Sequence, residues 1–77
     1  MKVHVDLYVN LKKYAPGGNS SFDVQLESGA TVKTVLENLK IPAGEKAIVL
    51  VNGRNADESN PLKEKDIITL YSPISGG

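Results

Sequence analysis

Residues 31–42 encode one short helix. Val32, Val35, Leu36 and Leu39 fall at i, i+3, i+4 and i+7, with Lys33, Thr34, Glu37 and Asn38 on the opposite side. Thr31 suits the N-cap, because its hydroxyl can accept from an orphan N–H of the first turn. Pro42 cannot continue a helix and biases Ile41 toward extended backbone, so the helix is expected over about 32–40. A single helix of this length covers one face of one sheet. The rest of the chain must therefore supply that sheet, in a two-layer α+β domain.

The strands are legible. Val3, Val5, Leu7 and Val9 alternate with Lys2, His4, Asp6, Tyr8 and Asn10. Phe22, Val24 and Leu26 alternate with Ser21, Asp23, Gln25 and Glu27 in the same way. Pro16-Gly17-Gly18-Asn19 marks a turn between them, preceded by one helical turn at Leu11–Tyr14, so residues 1–27 form a hairpin with a long loop. Ala47–Val51 is a short apolar run that ends on the tight-turn pair Asn52-Gly53, with a short return strand at Arg54–Ala56. Asn60-Pro61 turns Leu62 into the core, and Ile67–Tyr71 is the last strand. The hairpin leaves one edge of the first strand free for the last. The expected fold is a β-grasp, the ubiquitin-like architecture, with a mixed sheet of four to five strands and one main helix on one face. Residues 1–71 form the domain and 72–77 a flexible tail. The expected core is Val3, Val5, Leu7, Val9, Phe22, Val24, Leu26, Val32, Val35, Leu36, Leu39, Leu50, Leu62, Ile68 and Leu70. This places Tyr8, Val49, Val51, Ile67 and Tyr71 on the uncovered face, as a candidate docking surface if they are contiguous.

Composition removes most side-chain chemistry. Nine basic residues balance nine acidic ones, which argues against a nucleic-acid partner or a polybasic membrane-surface role. There is no cysteine, so the chain offers no disulfide, thiolate nucleophile, cysteine zinc site or iron–sulfur cluster. One histidine cannot make a multi-histidine metal site. No long apolar run and no signal-peptide pattern occur, and a cytoplasmic location is expected. There is no Gly-x-Ser-x-Gly elbow, phosphate loop or GxGxxG. His4 lies on the polar side of a strand and reads as a solvated or rim residue. Asp57-Glu58, and Glu64 with Asp66, read as solvated turn carboxylates. Lys12-Lys13, Lys63 and Lys65 serve solubility or the electrostatic rim of a partner site. No catalytic residue, metal or bound cofactor is expected.

Gly76-Gly77 at the end of the chain is different. At an average glycine frequency of about 7 %, two such positions are both glycine about once in two hundred sequences. A terminal diglycine has no Cβ to crowd its carboxylate, which ionises with a reference pKa of about 3.3–3.7. That carboxylate can attack the α-phosphate of ATP to give an acyl adenylate. Extended, the six residues from Ser72 reach about 20 Å, enough to enter a partner's active site.

With Val51-Asn52-Gly53, Pro61-Leu62, Asp66 and Pro73-Ile74-Ser75-Gly76-Gly77, the C-terminal half resembles the MoaD/ThiS family of ubiquitin-like sulfur carriers. Leu11–Gly18, Gly29-Ala30-Thr31-Val32, Leu36, Leu39 and Ile41-Pro42 extend the resemblance over essentially the whole chain. Two positions depart from it. Lys65 stands where the family often has glycine, which implies a turn that tolerates a side chain. Ser72-Pro73 replaces the double proline frequent in the molybdopterin branch. The resemblance implies a carrier rather than an enzyme, monomeric when free. A ubiquitin-activating-like enzyme would use ATP to adenylate Gly77, and a sulfur donor would convert the adenylate to a thiocarboxylate. Pro73, Ile74, Ser75 and Gly76 would thread the partner's site. The long first loop and the Pro-Ile tail look closer to the small subunit of molybdopterin synthase, implying that synthase's large subunit as partner. A carrier for thiamine thiazole synthesis, with thiazole synthase as partner, and other thiocarboxylate pathways are the alternatives. Outside sulfur transfer stand a protein modifier joined through Gly77 and a plain β-grasp interaction module.

Overall fold

The computed structural model describes residues 1–42, 44–45 and 47–72, with Val9 and Asn10 described in their backbone alone. Strand β1 (Lys2–Tyr8) runs into a 3₁₀ helix at Val9–Tyr14 and a 3₁₀ turn at Pro16–Gly18, and returns as β2 (Ser21–Gln25). Helix α1 (Val32–Asn38) follows, then β3 (Ile48–Val51), β4 (Arg54–Ala56) and β5 (Ile67–Tyr71). The five strands form one sheet in the order β2-β1-β5-β3-β4. β1 and β5 are parallel at its centre; the other pairs are antiparallel. This is the expected two-layer β-grasp. Among the described residues no helix is long and apolar enough to cross a membrane.

Alternation in β1 and β5 sends Val3, Val5, Leu7, Ile68 and Leu70 to one face, where they are buried with Val32 and Val35 of α1. Leu11, in the expected helical turn but outside the expected core, is also fully buried, because that turn is a 3₁₀ helix that brings it back against the core. Ala30, Ile41 and Val49 join this core. Phe22, Val24, Leu36 and Leu39 pack against it but stay half-exposed. The side chain of Val9 lies outside the described residues.

The expected facing of β3 is reversed. Val49 is buried, and Val51 packs against the core, whereas Leu50 lies on the opposite face. Pairing sets this: Val49 sits beside Leu70 and Val51 beside Ile68, both core-facing, while Leu50 sits beside Thr69. A continuous apolar run carries no alternation of its own, and a shift by one residue exchanges its two faces.

Two helix and turn termini use lysine where glycine is usual. After α1, the Ile41 N–H donates to Leu36 O and the Lys40 N–H to Glu37 O, both at 3.0 Å, with Lys40 at φ 60°. This is a Schellman ending, and it ends the helix at Asn38 rather than Lys40. At the N-terminus the Thr31 N–H donates to Thr34 Oγ1 at 3.1 Å, the return bond of a capping box. Before β5, the Asp66 N–H donates to Lys63 O at 3.1 Å, and Lys65 has φ 69°. The sequence implies a turn tolerant of a side chain; the structure has one that favours glycine at Lys65. Left-handed backbone costs a non-glycine residue about 1–2 kcal/mol, and glycine gives back about 0.5–1 through unfolded-state entropy. Lys65→Gly should therefore stabilise the domain by about 0.5–1 kcal/mol, raising Tm by several degrees in a thermal melt. An unchanged or lower Tm would show that the turn carries no such strain.

Candidate functional site: the open sheet face and the root of the tail

The face of the sheet away from α1 has two halves. One is apolar. Register places Tyr8, Tyr71 and Ile48 in one row across β1, β5 and β3, with Leu50 on the same face beside Thr69 and Ile67 at the other end of β5, beside His4. Tyr8 is 48 % exposed and Ile67 47 % exposed, and Ile48, Leu50 and Tyr71 are half-exposed. Of the five residues expected here, Tyr8, Ile67 and Tyr71 are in place. Val49 and Val51 are not: they face the helix, and Ile48 and Leu50 take their places. The signal that identifies this pair lies in β5, where Thr69 marks the outward side opposite Leu50.

The other half is polar. The His4 ring lies 2.8 Å from Asp23 Oδ1 through Nδ1, and 3.1 Å from Asp6 Oδ1 and 2.9 Å from Ser21 Oγ through Nε2. Ser21 Oγ donates to Asp6 Oδ1 at 2.7 Å. With a carboxylate facing each ring nitrogen, the doubly protonated imidazolium is the favoured form. The hydrogen bond to Asp23 leads in raising the His4 pKa above its ordinary 6.5; desolvation opposes it, and Asp6 reinforces it. His4 is thus the rim residue expected from the sequence, held in a specific network. Because the folded pKa is raised, its stabilisation is fully present below about pH 6.5 and fades as pH rises through the folded value. His4→Gln should narrow the stability gap to wild type as pH is raised from 5 to 8.5 in a series of melts. A constant gap would show that the ring does not titrate against these carboxylates.

The start of β5 is fastened to the β3–β4 turn. Asp66 is buried; its Oδ1 accepts from Asn52 Nδ2 at 2.9 Å and its Oδ2 from the Lys63 N–H at 2.7 Å. Asn52 Oδ1 accepts from the Ile67 N–H at 2.9 Å, and the Asn52 N–H donates to Ile67 O at 2.8 Å. Asp66 is therefore no solvated turn carboxylate but a clamp between the β3–β4 turn and the start of β5. Of the other turn acids, Asp57 and Glu58 are exposed, and Asp57 accepts from the Ser59 N–H and hydroxyl, which hold its pKa below the usual carboxylate value. Glu64 Oε1 accepts the Lys2 N–H at 2.9 Å.

β5 delivers the chain to the apolar row at Tyr71. Ser72, expected to begin the tail, is itself buried, so the domain reaches one residue further. Pro73, Ile74, Ser75, Gly76 and Gly77 lie outside the described residues. Ser72, the last described residue, thus follows directly on the row of Tyr8, Tyr71 and Ile48.

The fold and this face define a ubiquitin-like β-grasp protein whose described chain ends beside an exposed apolar row. A family model described as the ThiS family matches residues 7–77, and the chain belongs to that family. Solved structures share the fold at low identity. SAMP1 from Haloferax volcanii superposes with a TM-score of 0.82 at 23 % identity, covering 100 % of both chains. A chain of the protein–protein complex of subunits 1 and 2 of molybdopterin-converting factor from Helicobacter pylori gives 0.68 at 23 % identity, again covering 100 % of both. Caldiarchaeum subterraneum ubiquitin gives 0.61 at 21 % identity, covering 100 % of this chain and 98 % of that one. A comparison with the curated proteins finds no match.

Proposed function

We propose that this chain is a sulfur carrier whose reactive group is the Gly77 carboxylate. The observation that carries the reading is the match of the ThiS family model through Gly77 itself. The chemistry follows from the residues. A carboxylate oxygen attacks the α-phosphate of ATP, pyrophosphate leaves, and an acyl adenylate forms. A hydrosulfide then attacks the carbonyl carbon, the C–O bond to AMP breaks, and a thiocarboxylate remains. A partner adenylating enzyme supplies the catalytic groups and binds the ATP; the carrier supplies its backbone end and the apolar row of Tyr8, Ile67, Tyr71, Ile48 and Leu50 as the docking face. Molybdopterin synthesis is the proposed pathway, with the synthase large subunit as sulfur acceptor. Its support is the likeness to subunit 1 of molybdopterin-converting factor, which the Helicobacter protein shows in complex with subunit 2. Thiamine thiazole synthesis is the alternative acceptor pathway, with thiazole synthase in the same role.

The test is intact mass spectrometry of the chain after incubation with an adenylating partner, ATP and sulfide. The mass should rise by the difference between one sulfur and one oxygen. No change, with the same partner active on another carrier, would overturn the reading. A modifier role is favoured by one observation, the likeness to a Haloferax structure of small archaeal modifier protein 1, with a TM-score of 0.78 at 20 % identity. It predicts isopeptide-linked conjugates through Gly77 in cell extract, which a pure sulfur carrier would not form.

A further inference from the structure

A cleft of about 480 Å³ lies on the helix side of the domain, behind the open face. It exists because β4 has only three residues and α1 only seven, so the helix leaves the β3–β4 end of the sheet incompletely covered. Leu36, Ile41, Val49 and Ala56 form its apolar floor. The loop after β4 closes one end, where Glu58 O accepts the Lys33 N–H at 2.9 Å. Glu45 stands at the other end, accepting the Tyr14 hydroxyl at 2.7 Å.

Among the described lining residues the charge around this floor is one-sided. Glu37, Glu45, Asp57 and Glu58 line it, against Lys33 as the one cationic side chain among the described lining residues. Four of the chain's nine carboxylates thus gather round one cleft in a protein with no net charge. Glu45 is partly neutralised by Lys13 Nζ at 3.6 Å, but no described cation pairs with Glu37, Asp57 or Glu58. The Ser59 bonds to Asp57 keep that carboxylate ionised through the neutral range.

We propose that this cleft is a second docking site, which takes a partner segment carrying an apolar side chain flanked by lysine or arginine. The apolar anchor removes the floor from water and supplies the affinity. Flanking cations meet the carboxylate rim, which selects the sign of the partner and speeds its approach. An acidic segment would be repelled, and so would the carboxylate end of a second copy of this chain. Because the cleft and the open face lie on opposite sides of the sheet, one carrier can be held at the cleft while its tail is engaged at the other face.

The test is panning of a phage-displayed random heptapeptide library against the immobilised full chain, with counter-selection on a Glu37→Lys, Glu58→Lys double variant. Both side chains are exposed, and a thermal melt confirms that the variant folds. Recovered peptides should place Leu, Ile or Phe between basic residues. They should bind wild type about ten-fold more tightly than the variant and weaken with added salt. In amide NMR spectra they should shift Leu36, Val49 and Ala56. Failure to enrich any peptide over the variant would overturn the proposal. So would peptides without cations, shifts confined to Tyr8, Ile67 and Tyr71, or self-association of the chain through the cleft. None of these outcomes depends on the chemistry of Gly77, so the sulfur-carrier reading stands or falls separately.

Discussion

A single tryptophan added after Gly77 should abolish activation, with ATP–pyrophosphate exchange falling about a hundred-fold or more, while the melting curve stays that of wild type. One added residue moves the carboxylate by about 3.5 Å along an extended chain. A displacement of even 1 Å from attack geometry can cost about a hundred-fold in rate. The indole adds a second obstacle, because a channel shaped for Gly-Gly has no room for a Cβ and ring. The fold should not respond, since the described domain ends at Ser72, five residues before the addition. Gly77→Ala, which adds one methyl beside the reacting carbon and leaves the chain length unchanged, should lose less. Normal exchange by the extended chain would remove Gly77 as the reacting group, and with it the central claim about function.

Asp66→Ala should destabilise the domain by about 2–4 kcal/mol. The substitution strips the partner from two donors, Asn52 Nδ2 and the Lys63 N–H, each bonded to a buried carboxylate. Hydrogen bonds to charged groups contribute about 1.5–3 kcal/mol, and a stranded buried donor costs about 1–3 kcal/mol. A chain of 77 residues has on the order of 4–12 kcal/mol in total, so the loss is a large fraction of it. In a melt this corresponds to a fall of about 10–25 °C. Asp66→Asn keeps one carbonyl acceptor and should lose roughly half as much. Equal Tm values for Asp66→Ala and wild type would mean that the Asn52–Ile67 bonds hold the turn to β5 without the carboxylate. Sulfur loading of Asp66→Ala at a temperature where it is folded should be normal, because among the described residues the carboxylate bonds to Asn52 and Lys63 and not to the open face.

The architecture was legible because its signals are periodic. β1 alternates along its whole length, α1 carries a four-residue stripe, and Asn52-Gly53 takes the two left-handed positions of a tight hairpin turn, at φ 52° and 83°. What was hidden depends on partners distant in sequence. The facing of β3 follows from pairing with β5, and no residue within Ile48–Val51 reports it. Leu11 is missed as a core residue because its burial depends on how the expected helical turn packs against the rest of the domain. Asp66 reads as a surface acid because its donors, Asn52 and Lys63, come together only in the folded chain. Lys65 shows how far a local rule reaches. The absent glycine argues for a permissive turn, but the bonds across it, from the Lys65 N–H to Lys2 O and from the Asp66 N–H to Lys63 O, impose the left-handed backbone on a lysine. At the site itself, the sequence pointed to the face and the tail, and the structure exchanged two of the five face residues.

The parallel pairing of β1 with β5 sets a rule of order during synthesis. The first strand to leave the ribosome waits for the last, because its central neighbour is Ile67–Tyr71. A nascent chain stopped before that strand has a hairpin and a helix but no middle to its sheet, and the long loop between the paired strands makes their meeting slow. Completion of the fold therefore waits for β5, and any partner that grips the sheet face finds no intact face on a chain stopped before it.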